Sequence, residues 1–179
     1  MRFLAPLSII TLAIVSTTLF IYPETSNSTS KDEGKFYGAM MTEYPAWIKE
    51  SFLDINEDIA EAKDAGKRVA IFFHQDGCPY CNALVERNLA QKAVLEKAKN
   101  NFDFIALNMW GDRMVTYVNG KQYKEKDLAL ALKVQFTPTL MFYDEEGKIV
   151  LRLNGYRSPT KFMADMDYVI ATKTQKVKG

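Results

Sequence analysis

Apolar residues along this chain follow two alternating rhythms. Phe52, Ile55, Ile59 and Ala62 recur at three- and four-residue spacing, which predicts one face of a helix ending near Gly66. The continuous run from Val69 to Phe73, behind Lys67 and Arg68, predicts a strand buried on both faces. A helix should then open at Cys78 and carry Leu84, Val85 and Leu89, and a shorter one should hold Val94, Leu95 and Ala98. Residues 102–109 predict another strand. Residues 115–123 predict a small hairpin, because Asn119-Gly120 suits a tight type I′ turn. A third helical run with Leu128, Ala131 and Leu132 leads into a strand at 139–143, a turn at 144–147 and an antiparallel partner at 148–153. Phe162, Met166 and Val169 mark one face of a closing helix. No internal repeat is visible. The order of elements predicts an α/β fold, a mixed central sheet flanked by helices, with a hairpin inserted before the third helical run.

The amino terminus breaks this rhythm. Arg2 precedes an uncharged run from Phe3 to Tyr22, and roughly 20 apolar residues suffice to span a bilayer as a helix. The apolar region of a cleaved signal is shorter, about 7–15 residues. Ser16, Thr17 and Thr18 offer a cleavage site, but Leu19 to Tyr22 follow and disfavour it. Residues 1–22 are therefore expected to be a signal anchor, with a cleaved signal peptide as the alternative. Either way Arg2 favours an inside amino terminus, leaving the remainder periplasmic or extracytoplasmic and, if the helix stays, held at the inner membrane. Residues 23–45 lack apolar periodicity and predict a polar linker, and 46–179 form the domain.

Composition removes other classes. With 47% hydrophobic and 25% charged residues among 179, the chain can build a core and stay in solution. Its net charge is +1 and no basic stripe runs along it, which argues against nucleic acid as a partner. A protein or small-molecule partner is expected, with membrane contact only through the first segment.

Two cysteines exist, spaced as Cys78-Pro79-Tyr80-Cys81. On the first turn of a helix this spacing lets the sulfurs bond, and Pro79 suits an early helical position. Unpaired N–H groups and the helix dipole would stabilise a thiolate at Cys78, lowering its pKa from about 8.5 towards roughly 3.5–7.5. Thiolates attack disulfides, so Cys78 is the expected nucleophile and Cys81, deeper by one turn, the resolving thiol. A structural disulfide remains an alternative, although so short a loop constrains the unfolded chain little. Zinc would need about four ligands, and two cysteines with His74, the one histidine, fall short unless an acid joins. Haem attachment would need histidine after Cys81, where Asn82 stands. No cofactor and no metal are expected.

The segment VAIFFHQDGCPYCNALVE resembles the active-site strand, loop and helix of thioredoxin-like proteins, and QFTPTLMFYDEEGKIV resembles their loop, strand and hairpin. The likeness spans Trp47 to Ile170 and is nearest to SoxW-type exported thioredoxins, in which a stretch like Trp110-Gly111-Asp112-Arg113 precedes an inserted hairpin. The resemblance implies a cis bond at Thr137-Pro138 facing the dithiol, and substrate contacts from Pro79, Tyr80, Thr137 and Pro138. It also implies reduction of protein disulfides with electrons from a membrane dithiol donor. Two departures stand out. The family's buried acid, six residues before the first cysteine, is Phe72 here, and its partner lysine on the next strand is Ala106. His74 becomes the candidate for proton transfer, since an unshifted imidazole titrates near neutrality; the alternative is that it ends the strand and packs beside Trp110 or a tyrosine. Asp76 and Glu86 are expected to be solvated, and Trp110 to line the groove or cover the hairpin. Pro79-Tyr80 also resembles glutaredoxins, but a glutathione site is not expected on an exported chain.

Overall fold

Every residue of β1 (Arg68–His74) is buried, and the rest of the fold is arranged to cover it. The computed structural model describes residues 45–177, so the expected anchor, and the linker up to its last residue, lie outside the described residues. β1 pairs in parallel with β2 (Phe102–Asn108) and antiparallel with β5 (Thr139–Tyr143), which pairs antiparallel with β6 (Ile149–Asn154). The sheet order is β2-β1-β5-β6, mixed as expected. The outer edge of β2 is met at its middle by a parallel bridge from Ile48 to Phe104, with Lys49 N–H donating to Phe104 O, which shortens the free strand edge.

Alternation along β1 divides the core into two layers. Ala70 and Phe72 point to the side holding Cys78, Cys81, α3 (Lys92–Asn101) and α5 (Pro159–Val177), where Phe162, Met166 and Val169 are fully buried. Val69, Ile71 and Phe73 point to the side holding α1 (Ile55–Asp64), α4 (Glu125–Ala131) and Val115 of the hairpin. Each large side chain so enclosed contributes about 1.5–3 kcal/mol of transfer free energy. Among the described residues no helix is long and apolar enough to cross a membrane.

Four details differ from the sequence reading. Phe52 lies outside α1 and is fully exposed. Asp54 caps the helix by accepting from the N–H groups of Asn56 and Glu57, and Leu53, at φ 62°, turns the chain so that it, and not Phe52, is buried. The hairpin β3 (Met114–Thr116) and β4 (Gln122–Lys124) forms a separate two-stranded sheet. Its turn is not type I′: Gly120 N–H donates to Tyr117 O, and Gly120 alone takes a positive φ, of 74°. A type I turn followed by a left-handed glycine gives this three-residue loop. On α4 the inward position is Ala129, while Ala131 is exposed. Finally, the helix behind the dithiol begins as α2 (Pro79–Ala83) and widens into a π-helical stretch, Leu84–Leu89, which buries Leu84, Val85, Asn88 and Leu89 together.

Candidate active site

β1 ends at His74, and Gln75-Asp76-Gly77 carry the chain to α2. Gly77, at φ 65°, makes the turn that a side chain would resist. Cys78 is the N-cap, with extended backbone, and its Sγ accepts the Cys81 N–H at 3.1 Å. Pro79 takes the first helical position, where a missing N–H costs nothing. Cys78 and Cys81 form a disulfide, their Cα atoms 5.3 Å apart. Cys81 is completely buried and Cys78 is 2% exposed. The expected order of accessibility holds, but by a narrow margin.

The loop before β5 closes over the same sulfur. The Thr137-Pro138 peptide is cis, and the Thr137 hydroxyl donates to Cys78 Sγ at 3.2 Å. Pro138 is buried, with its carbonyl accepting from Gly155 N–H at 2.7 Å. Thr139 steadies the bend by donating its hydroxyl to Phe136 O at 2.7 Å. The segments carrying Pro79, Tyr80, Thr137 and Pro138 therefore meet at Cys78, with Tyr80 exposed and Thr137 half-buried.

Phe72 and Ala106 are both buried on the dithiol side of the sheet. His74 is 3% exposed, with its ring 5.8 Å from that of Phe72. Burial lowers its pKa to about 4, against the opposing pull of Glu125 and Asp76. The imidazole is thus neutral at pH 7, and a titration near neutrality, on which the proton-transfer expectation leaned, is absent. Its ring neighbour is Phe72, whereas Trp110 is bonded elsewhere: the indole N–H donates to Gln75 Oε1 at 3.0 Å. Glu86 is exposed, and Asp76, also exposed, accepts from Asn108 Nδ2 at 3.0 Å.

Sequence reasoning missed Glu125. It is 2% exposed, and its carboxylate accepts from Asn108 N–H at 2.9 Å, Arg113 N–H at 3.2 Å and Arg113 Nη2 at 2.6 Å. Arg113 also reaches Ala106 O at 2.9 Å. The carboxylate thereby gathers the loop between β2 and β3. Its only signal in the chain is a neighbouring Gly-Asp-Arg, which does not say which acid answers the arginine. Among the described residues, no cluster of three or more histidine, cysteine or acidic side chains is placed to hold a metal.

A family model described as a thioredoxin-like domain matches residues 55–170. Among solved structures, a thioredoxin-fold protein from Helicobacter pylori is similar at 27% identity and a TM-score of 0.52, covering 62% of this chain and 73% of that one. A thioredoxin from Thermus thermophilus is similar at 25% identity and a TM-score of 0.50, covering 65% and 84% respectively. No curated protein matches the sequence.

Proposed function

The chain belongs to the thioredoxin-like domain family, and from that premise we propose that it is an exported thiol–disulfide oxidoreductase that reduces protein disulfides through Cys78 and Cys81, akin to SoxW-type thioredoxins. One observation carries the reading: a disulfide across the first turn of a helix, capped by its own first sulfur and touched by the hydroxyl of the residue before a cis proline. In the reduced protein, Cys78 thiolate attacks one sulfur of the substrate disulfide. A Cys78–substrate bond forms, and the other substrate sulfur leaves as a thiolate and takes up a proton. Cys81, deprotonated in turn, attacks Cys78 Sγ and expels the second substrate thiol. Two electrons have then passed from the protein dithiol to the substrate.

The Cys81 N–H that bonds Cys78 Sγ at the helix N-terminus supports the role of Cys78 as nucleophile, and the complete burial of Cys81 supports its role as resolving thiol. Pro79, Tyr80, Thr137 and Pro138 supply the substrate-facing surface. With Phe72 in place of an acid, the proton leaving Cys81 has no neighbouring carboxylate at that strand position, and His74, which ends the same strand, is held neutral by burial and is a weak base for it. Re-reduction falls to a membrane dithiol donor, and the segment 1–22, with its uncharged run from Phe3 to Tyr22, is the export signal or anchor. Neither nucleic acid nor a cofactor enters the cycle.

The near-complete burial of Cys78 favours one competing reading, a binding module whose disulfide is permanent; a module whose cysteines hold a metal would lack a third ligand among the described residues. Turnover separates the two. The full chain with dithiothreitol is expected to reduce insulin well above the uncatalysed rate, Cys78→Ser to abolish this, and Cys81→Ser to trap partners as mixed disulfides recoverable after acid quenching. Insulin reduction at the background rate, unchanged by Cys78→Ser, sinks the oxidoreductase reading.

A further inference from the structure

Trp110 is 65% exposed, yet it is held from several sides. Its backbone N–H donates to Asn108 Oδ1 and its indole N–H to Gln75 Oε1, each at 3.0 Å. The residues around it are fastened to the segment that leads into Cys78. Asn108 Nδ2 donates to Asp76 Oδ1 at 3.0 Å, and Met109 N–H donates to His74 O at 2.8 Å. Residues 108–110 are thus bonded one by one to residues 74–76, just ahead of the nucleophile. Behind them the buried Glu125 carboxylate binds Asn108 and Arg113, and Lys126 N–H donates to Gly111 O at 3.0 Å. A large apolar ring fixed in water with its conformational freedom already spent matches the anchor residues that dominate interfaces.

Two further aromatic residues stand exposed on the segments that carry or touch Cys78. Tyr80, at 62%, lies between the cysteines, and Phe136, at 63%, precedes the Thr137 that donates to Cys78. We propose that Trp110 is a specificity-determining residue, which receives an apolar side chain flanking the cysteine of a polypeptide disulfide. The occupant follows from where the rings are carried: Trp110 is bonded to the segment that leads into Cys78, Tyr80 follows that cysteine by two residues, and Phe136 precedes the Thr137 that touches its sulfur. Rings of this kind favour apolar neighbours over glycine. The inference rests on the oxidoreductase reading and deepens it by naming the substrate class.

The test compares two synthetic peptide disulfides, alike except for leucine or glycine beside the cysteine. The full-length protein is expected to prefer the leucine peptide in kcat/KM. Trp110→Ala should cut the leucine-to-glycine ratio about tenfold, and Trp110→Phe should keep most of it. A ratio untouched by Trp110→Ala, or no preference in the parent protein, overturns the proposal. If neither peptide is turned over, the oxidoreductase reading is what fails, and the contact is then judged directly. The Cys81→Ser protein is charged on Cys78 with a thiopyridyl-activated leucine peptide, which releases thiopyridone and leaves the mixed disulfide. Its tryptophan emission should move to the blue, and Trp110→Ala should remove that move; an unmoved spectrum overturns the proposal.

Discussion

Phe72 and Ala106 stand opposite one another in the parallel register of β1 and β2, both inside the layer of the core that encloses Cys78 and Cys81. In the family these two places are expected to hold an acid and a lysine, and here both charges are gone together. That concerted loss makes physical sense. A buried ion left without its partner is far more costly than no ion at all. The core behind the dithiol is in consequence closed by aromatic and aliphatic groups, with Phe104 and Phe142 ring to ring beyond Ala106.

Restoring the charges singly should therefore fail. Phe72→Asp removes a fully buried ring and strands a carboxylate, for a loss of at least about 3 kcal/mol. Ala106→Lys alone should also destabilise. In the double variant the two changes should interact favourably by roughly 0.5–3 kcal/mol. Urea unfolding of all four proteins checks this, and strictly additive losses would show that the two side chains do not meet.

His74 leads to a prediction about pH. Its folded pKa, about 4, lies below the ordinary 6.5 because burial disfavours the cation. Between those values the unfolded chain binds the extra proton and the folded one does not, so stability rises with pH. The contribution is present in full above pH 6.5 and is lost as the pH falls towards 4, on the order of 3 kcal/mol at most. Unfolding midpoints measured from pH 7 to pH 5, above most carboxylate titrations, should slope down in the parent and much less in His74→Gln. Parallel slopes in the two proteins would contradict the buried, neutral imidazole.

Much of this architecture was legible because burial writes itself into periodicity. Leu140–Tyr143 is a continuous apolar run between a Thr-Pro bend and an acidic turn, and with Thr139 it forms β5 as expected. Phe162, Met166 and Val169 needed only a helical repeat. The dithiol was legible because two cysteines, a proline and a preceding strand leave few arrangements open. Phe52 misled, since an apolar residue in phase with a helix does not reveal that Asp54 caps the helix two residues later. Glu125 was hidden for a different reason: its burial depends on a loop folding around it, and the exposed Asp127 two residues on looks the same in composition. The π-helical widening after α2 likewise has no signature in spacing; within it the buried Asn88 donates to Arg157 O and accepts from the Tyr156 hydroxyl, contacts about 70 residues away that a local pattern does not reveal.

Thr137 should tune the nucleophile. Its hydroxyl lies 3.2 Å from Cys78 Sγ in the disulfide form. After reduction the acceptor becomes a thiolate, which a donated hydrogen bond favours over the thiol. Thr137→Val keeps the shape and deletes the donor, so the Cys78 pKa should rise by about one unit, the scale of a hydrogen bond to a charged group. Thiolate absorbance near the ultraviolet edge, or the pH dependence of alkylation, reports this directly. A titration that Thr137→Val leaves in place would mean the hydroxyl turns away once the disulfide opens.

Gly111 and Glu125 should behave as one unit. A Cβ built on Gly111 would overlap the Glu125 carboxylate and come within 3.1 Å of Asn108 O. Gly111→Ala must therefore displace a buried carboxylate from its donors or bend the loop, at about 1–3 kcal/mol. Glu125→Ala frees that space but leaves the N–H groups of Asn108 and Arg113 without their acceptor, costing roughly 1.5–3 kcal/mol. Once the carboxylate is gone the added methyl has room, so Gly111→Ala should be much milder in the Glu125→Ala background. A double-mutant cycle by chemical denaturation should show coupling of about 0.5–3 kcal/mol. The same pair should lower the anisotropy of Trp110 emission, read against Trp110→Phe to remove the signal of buried Trp47, because the loop carrying it has lost its clamp. Additive energies with unchanged anisotropy would mean that Glu125 does not hold the loop.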